Sequence, residues 1–278
     1  MPETYRIGTF GSLVPVSYDR DPRGVIFLFE PPNPRATYVL GCDPTKGITG
    51  WSRELRTQDD SKTDNGAIEI IRKGRTQEDP DVQVCEFAAP IDPYELAIYC
   101  NILGRLYGGA DESGQALTII EVWPGPGLPT QRELINRYGY TNLFVWKYLD
   151  SMAVKATHSL GWTSTQKSVR DLWIMGSRHI QGRHFLPASP WLVEEMSDCE
   201  TDPVKMSGKA IYGRHDDRVR ALLMAIWAAH DWSFQVEIPE NVDIETGAPG
   251  LDWQRSDISV EDMLSEWDDR FSRMLEGG

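Results

Sequence analysis

Two adjacent carboxylates stand at the start of an otherwise apolar run in the sequence. Asp216 and Asp217 follow His215 and precede residues 219–229, whose composition is typical of a buried helix. Burying a charge is costly unless the charge is paired or bound to a metal. We therefore expect these acids to bind a divalent cation, while an acid at this position can also act as a helix cap.

Two further acids stand at the ends of apolar strands far upstream. Asp43 follows the run ATYVLGC, and Glu121 follows ALTII and precedes a loop rich in Pro and Gly. Ligands bind near strand ends in α/β sheets, and carboxylate oxygens are the natural donors for Mg²⁺ or Mn²⁺. Two such ions can activate a water and stabilise the leaving oxygen in phosphodiester cleavage. Taken alone, Asp43 is more typical of a turn former.

The predicted elements that would position these acids begin with three strands in succession. Further along the chain, strands alternate with helices. Three apolar runs predict consecutive strands at residues 36–42, 66–72 and 82–88. Asp92 and Pro93 provide the cap and the first turn of a predicted helix. This order predicts an α/β fold with a mixed central sheet and helices on both faces. The later elements are predicted at residues 94–107, 116–122, 130–138, 142–148, 164–175, 185–186 and 190–196, with a last helix that ends near His230.

Length and composition limit the class of protein. The 278 residues suffice for one large domain at residues 36–231, preceded by a lead-in segment at 1–35. Residues 232–278 hold 12 acidic and 3 basic residues, a net charge of −9, and a pattern that predicts an amphipathic helix. No apolar run approaches the ~20 residues that span a bilayer, so we expect a soluble intracellular protein. The four cysteines are too far apart for a zinc ribbon and are expected to be free thiols.

A basic stretch stands out against the net charge of −14. It contains Lys167, Arg170, Arg178 and Arg183. Such residues bind phosphates without regard to sequence, although a solvated surface explains them equally well. The five histidines form no HxxxH or HExxH motif. We therefore expect His179 and His184 to lie at the surface and not to bind a metal.

Six segments follow one another in an order that resembles a known family. They are YVLGCDPTKG (38–47), DNGAIEII (64–71), VQVCEFAAPIDPYELAIYCNILGRLYGGA (82–110), IIEVWPGPG (119–127), GWTSTQKSVRDLW (161–173) and YGRHDDRVRALLMAIWAA (212–229). Together they cover about residues 36–231 and resemble the C-terminal nuclease domain of the large terminase subunit of tailed bacteriophages. The resemblance implies an RNase H-like fold whose first three strands are antiparallel.

The resemblance also implies a role for each matching residue. Asp43, Glu121 and the Asp216–Asp217 pair match the catalytic acids that hold two Mg²⁺ or Mn²⁺ ions. Asp64 matches an acid before the second strand and is a candidate peripheral ligand. His215 matches the histidine before the paired acids and would orient a ligand. Thr163, Lys167 and Arg170 match the segment that precedes a surface helix near DNA. With Arg178 and Arg183 of the basic stretch, they are the predicted DNA contacts.

The function implied by the resemblance is metal-dependent cleavage of double-stranded DNA during viral genome packaging, in the cytoplasm of the infected bacterial host. No GxxxxGK[ST] motif occurs, so a packaging ATPase would be a separate partner, as would a portal or a small terminase subunit. No GxSxG motif occurs, and no GxGxxG follows a predicted strand. Two alternatives stay open: another RNase H-like nuclease that acts on junctions or RNA–DNA hybrids, and a non-catalytic packaging or assembly module.

Overall fold

The computed structural model of the chain describes residues 3–7, 13–15, 25–45, 65–76, 78–123, 125–150, 155–201, 208–211 and 214–231. The chain divides into two compact units. The first comprises Met1–Trp146 with Ser159–Trp232, and the second comprises Lys147–His158 with Ser233–Gly278. None of the helices in the described ranges is long and apolar enough to cross a membrane. The acidic tail predicted at residues 232–278 lies outside the described residues.

A mixed central sheet forms the centre of the first unit. Its strands are β1 (Glu3–Ile7), β2 (Leu13–Pro15), β3 (Ile26–Leu28), β4 (Tyr38–Asp43), β5 (Gly66–Arg72), β6 (Asp81–Ala89), β7 (Leu117–Trp123), β10 (Trp162–Thr163) and β11 (Phe185–Leu186). Their order in the sheet is β10-β7-β4-β5-β6-β3-β1-β2, and β11 also pairs with β6. The strands β4, β5 and β6 are antiparallel in succession, whereas β7 is parallel to β4 and β10 is parallel to β7.

Five helices and two small sheets complete the described structure. The helices are α1 (Pro93–Leu106), α2 (Gly127–Asn136), α3 (Gln166–Gln181), α4 (Pro190–Ser197) and α5 (Asp217–His230). As predicted, α1 begins at Pro93, and the side chain of Asp92 accepts hydrogen bonds from the N–H groups of Tyr94 and Glu95. The small sheets pair β8 (Val145–Asp150) with β9 (Lys155–Leu160), and β12 (Cys199–Thr201) with β13 (Gly208–Ala210).

Helices cover both faces of the central sheet, as two neighbouring residues of β4 demonstrate. A Cβ atom at Gly41 would lie 1.9 Å from the carbonyl oxygen of Ala221 in α5. The Sγ atom of Cys42 lies 3.6 Å from that of Cys100 in α1. Because successive strand residues point to opposite faces, α5 covers one face and α1 the other. The predicted fold class, a mixed α/β sheet whose first three core strands are antiparallel, is confirmed and is consistent with an RNase H-like fold.

The helix α5 lies within the main hydrophobic core. Every residue from 219 to 229 is buried except Arg220. The ring of Trp162 stacks on Trp146 at 4.7 Å and meets the edge of Trp227 at 5.1 Å. These tryptophans belong to the hydrophobic core. The four cysteines are free, as predicted, and three of them are buried.

A buried polar network joins the sheet to α4 and α5. The Nε2 group of Gln83 donates to Glu69 at 2.7 Å and to Glu86 at 3.3 Å. The guanidinium of Arg218 donates to Glu86 at 3.0 Å and also to Glu195. Burial, followed by repulsion from Glu86, raises the pKa of the Glu69 carboxyl well above its usual range. The network therefore holds an acid that is costly to ionise inside the fold.

Candidate functional site

Asp43 and Glu121 lie side by side at one edge of the central sheet. In the parallel pairing of β4 with β7, Cys42 is the partner of Ile120, so the next residue of each strand is one of the two acids. Both acids are buried, with exposed fractions of 7% for Asp43 and 6% for Glu121. Asp43 is two residues beyond Gly41 and therefore faces α5. The structure thus brings together two of the acids that the sequence indicated.

The guanidinium of Arg220 binds both of these acids. Its Nη2 atom lies 2.6 Å and 2.5 Å from the two carboxylate oxygens of Glu121. Its Nε atom lies 3.4 Å from Oδ2 of Asp43. The negative charge of Asp43, then that of Glu121, raises the pKa of Arg220 and outweighs the effect of burial. Arg220 is therefore a charged and central member of the site.

Arg220 is not among the residues predicted for the site, although its position in the sequence indicates such a role. The residue is four positions after Asp216 and three after Asp217, and this spacing places side chains on one face of a helix. It is also a lone charge in an otherwise apolar helical run. A buried charge needs a partner, so a strand-end acid such as Asp43 or Glu121 was the natural candidate.

Negative charge exceeds positive charge around Arg220. Burial raises the pKa of the Asp43 carboxyl well above its usual range. The positive charge of Arg220 opposes this shift, whereas the charges of Glu121 and Asp217 add to it. A group of acids with one guanidinium among them favours the uptake of a proton or a cation. Carboxylate oxygens are the donors that Mg²⁺ and Mn²⁺ prefer.

Asp216 and Asp217 lie at the N-terminus of α5, and each side chain contacts a different backbone group. Oδ2 of Asp217 accepts a hydrogen bond from the N–H of Asn65 at 2.9 Å. Oδ2 of Asp216 accepts one from Ala210 at 3.3 Å, and this side chain makes no capping hydrogen bond to α5. Asp216 therefore occupies the N-cap position of α5, as the capping alternative expects, but its side chain does not cap the helix through a hydrogen bond. Nδ1 of His215 lies 3.7 Å from Oδ2 of Asp217, which is longer than a hydrogen bond, so the orienting role implied by the resemblance stays a prediction.

The residues predicted to contact DNA lie within α3 or next to its two ends. Thr163 belongs to β10, the strand beside β7. Lys167 and Arg170 are exposed in the first turns of α3, whereas Arg178 and Arg183 are exposed at its other end. Arg178 is 11 positions after Lys167 in the helix, which corresponds to a distance of about 16 Å along the axis. The basic stretch is therefore two pairs of charges at opposite ends of one helix. Asp64, the candidate peripheral ligand, lies outside the described residues.

A second cluster of ionisable groups lies at the opposite end of α5. In the described part of the chain, one group of three potential metal ligands converges within 4.8 Å, and it consists of Asp81, His179 and His230. The Nε2 atoms of His179 and His230 lie 3.0 Å and 2.7 Å from Oδ2 of Asp81. Burial alone would raise the pKa of Asp81, but hydrogen bonds with the two histidines and with Gly74 lower it well below its usual range.

The expectation that His179 lies at the surface, away from any potential metal site, is wrong. Its side chain is 10% exposed, because the last turn of α3 packs where β6 begins and α5 ends. Asp81 is separated from His179 by 98 positions and from His230 by 149. No local spacing motif can connect residues so far apart in sequence, so this cluster could not be predicted from the sequence.

Comparisons with known proteins complete the description of the site. No model of a protein family matches the chain, and no curated protein matches it in sequence. Among solved structures, the chain is similar to the large terminase nuclease from thermophilic phage G20c. The TM-score is 0.45 and the sequence identity 16%, over 75% of this chain and 89% of that chain. The function is therefore inferred from the side chains of the site.

Proposed function

We propose that the chain is a metal-dependent endonuclease that cleaves double-stranded DNA, as the nuclease part of a viral genome-packaging terminase. The observation that carries the proposal is the pair of buried acids, Asp43 and Glu121, on adjacent parallel strands. They share the guanidinium of Arg220, and this residue follows Asp216 and Asp217 by one helical turn. Phosphodiester cleavage with two metals needs acids from several elements, and these acids come from β4, β7 and the start of α5.

The residues fit a pair of divalent ions. Two Mg²⁺ or Mn²⁺ ions would be held by Asp43, Glu121 and one or both of Asp216 and Asp217, because carboxylate oxygens suit these hard cations. When bound, such ions lower the pKa of a water and stabilise the charge that develops on the leaving oxygen. In the metal-free chain, Arg220 holds Glu121 through hydrogen bonds and Asp43 through an ion pair.

The exposed basic residues would bind the DNA backbone. Thr163, Lys167 and Arg170 lie where β10 leads into α3, next to the strand that carries Glu121. Arg178 and Arg183, at the far end of the same helix, would add contacts to more distant phosphates. Such contacts hold a duplex without reading its sequence. Within this proposal, a packaging ATPase, a portal or a small terminase subunit would be the protein partner, and the host cytoplasm would be the location.

The proposal is tested by the cleavage of supercoiled plasmid in the presence of Mn²⁺, Mg²⁺ or a chelator. We expect the parent chain to cut with either metal and to be inactive in the chelator. Asp43→Asn and Glu121→Gln keep the shape of each side chain but remove its charge, and each should lower the rate at least ~100-fold. Glu112→Gln, at an exposed position, is the matched control and should cut like the parent.

Thermal melting of each variant separates a lost ligand from a lost fold. If Asp43→Asn melts like the parent and cuts equally fast, the site assignment is wrong. If branched or hybrid substrates are cut much faster than plain duplex, the chain is a different RNase H-like nuclease. If no substrate is cut and Mn²⁺ leaves the melting temperature unchanged, the chain is a non-catalytic module, since a ligand of the folded state must raise that temperature.

A further inference from the structure

We propose that Asp81, His179 and His230 form a second metal site, selective for Zn²⁺ or a similar transition metal. The three residues come from three different elements: the start of β6, the last turn of α3 and the end of α5. Their ligand atoms lie within 4.8 Å of one another. The proposal uses none of the acids assigned to the nuclease site and is independent of the proposed function.

The donor atoms and their spacing suit zinc. Imidazole nitrogen and carboxylate oxygen bind Zn²⁺ at about 2.0–2.2 Å. In a tetrahedral site, two ligand atoms at these distances from the ion are therefore ~3.3 Å apart. The observed separations between Oδ2 of Asp81 and the two Nε2 atoms are 3.0 Å and 2.7 Å. Movements of a few tenths of an ångström would therefore open the cluster to an ion. Two imidazoles favour zinc over Mg²⁺, which prefers a shell made of oxygen.

The carboxylate is already oriented by its surroundings. Oδ1 of Asp81 accepts a hydrogen bond from the N–H of Gly74 at 2.8 Å, so that Oδ2 faces the two histidines. The N–H of Asp81 donates to the carbonyl oxygen of His184 at 2.9 Å. Hydrogen bonds of this kind fix the orientation of metal ligands and strengthen their binding.

The cluster is buried on one side and accessible on the other. Asp81 is 2% exposed, whereas the side chain of His230 is 27% exposed. An ion can therefore enter beside His230, and a water can complete a four-ligand shell. This end of α5 is about 20 Å along the helix axis from Asp217, so the two centres are separate.

An ion at this position would join three elements that, without it, meet through packing and through the hydrogen bonds of Asp81. Each of the three elements contributes one ligand: β6 of the sheet, α3, which also carries the exposed Arg178, and α5, which begins at the proposed nuclease acids. The expected role is structural: the metal fixes the C-terminal ends of α3 and α5 against β6. Structural zinc sites stabilise folds directly in this way.

The test uses the full chain, freed of metal with a chelator and then titrated with Zn²⁺. We expect one Zn²⁺ per chain that Mg²⁺ in excess does not displace, and with Co²⁺ the visible absorption of a tetrahedral site. Saturating Zn²⁺ should raise the melting temperature by about 5 °C or more. His179→Gln and His230→Gln should each weaken Zn²⁺ binding at least ~100-fold.

Matched variants distinguish this site from its neighbours. The ring of His184 lies 5.4 Å from that of His179 and is not one of the three ligands, so His184→Gln should keep Zn²⁺ binding. Asp43→Asn should also keep it. A parent chain that binds no Zn²⁺, or a His230→Gln variant that binds it as tightly as the parent, would overturn the proposal. If His230→Gln does not fold, the Co²⁺ spectrum of the parent decides, because a cluster that is merely hydrogen-bonded gives no tetrahedral absorption.

Discussion

Arg220 sets the charge balance of the candidate nuclease site. It is the one residue between positions 219 and 229 that is not buried, and it reaches the carboxylates of both Asp43 and Glu121. Its guanidinium holds the same oxygens that a divalent cation would need. Arg220 should therefore stabilise the metal-free fold and compete with the metal.

Replacing Arg220 with glutamine should destabilise the chain in a metal-dependent manner. Removal of one partner from a buried ion pair costs about 3–5 kcal/mol, and we expect a cost near the lower end, because Arg220 is 31% exposed while the two acids that are left to repel each other are nearly buried. We expect the melting temperature in chelator to fall by about 6 °C or more. Added Mn²⁺ should restore more stability to Arg220→Gln than it adds to the parent, as measured by thermal melts with and without metal.

The control for this prediction is Arg178→Gln, which removes the same charge from an exposed position of α3. Its melting temperature should match that of the parent in both conditions. Equal shifts with Mn²⁺ in the parent and in Arg220→Gln would contradict the idea that the arginine and the metal share their ligands.

The contact between α5 and β4 places the acids of the helix against those of the sheet. A Cβ atom at Gly41 would lie 1.9 Å from the carbonyl oxygen of Ala221 and 2.8 Å from the nitrogen of Ala225. The helix backbone therefore lies directly on the strand, and only glycine allows this approach. Asp43 is two residues further along the same strand, so the contact also sets its distance from Arg220.

Gly41→Ala should move α5 away from the sheet and weaken both fold and activity. Overpacking of this kind costs typically about 1–3 kcal/mol, and the shift would separate Arg220 from Asp43. We expect a lower melting temperature together with slower plasmid cleavage. Gly125→Ala is the matched control, since a Cβ at Gly125 has no neighbour within 4 Å. A variant at position 41 as stable as this control would disprove the close contact.

Elements with strong local signals were predicted well, whereas those defined by distant partners were not. Both β5 and β11 have the predicted bounds, and α1 begins at its predicted cap. The helix α3 was predicted to end at residue 175 but continues to Gln181. Gly176 does not end the helix. It allows close packing against Leu223 of α5, whose Cδ2 would lie 2.2 Å from a Cβ atom at this position.

The short strands β12 and β13 were missed, because they are defined by pairing with each other and have little pattern of their own.

At the scale of the whole molecule, the candidate nuclease site was partly predictable. Asp43 and Glu121 could be proposed because each follows an apolar run of its strand, although β7 continues two residues past Glu121 to Trp123. Their shared partner, Arg220, was missed despite its helical spacing from Asp216. The cluster around Asp81 could not be predicted, since only the packing of α3 and α5 on the sheet brings its members together.

The buried network around Glu69 should make the stability of the whole chain depend on pH. The folded-state pKa of Glu69 is raised above its unfolded value of about 4.3. The folded chain therefore binds this proton more tightly, and stability is lost as the pH rises through the interval between the two values. Glu69→Gln removes that loss and should raise the free energy of unfolding by about 1 kcal/mol or more near pH 8, with a smaller gain near pH 5.

Urea unfolding at the two pH values measures this difference. Glu112→Gln, which removes a charge from an exposed position, should leave the unfolding free energy unchanged at both. A gain for Glu69→Gln that is equal at low and high pH would show that ionisation of this carboxyl does not limit stability.

The helix α5 runs without interruption from Asp217 to His230, so one rigid element carries a ligand of each proposed metal centre. Thermodynamic linkage makes any communication between the two centres reciprocal. The factor by which Zn²⁺ beside His230 changes the affinity for Mn²⁺ beside Asp217 must equal the factor by which Mn²⁺ changes the affinity for Zn²⁺. The two binding equilibria therefore share a single coupling free energy, which a titration from either end of the helix would measure.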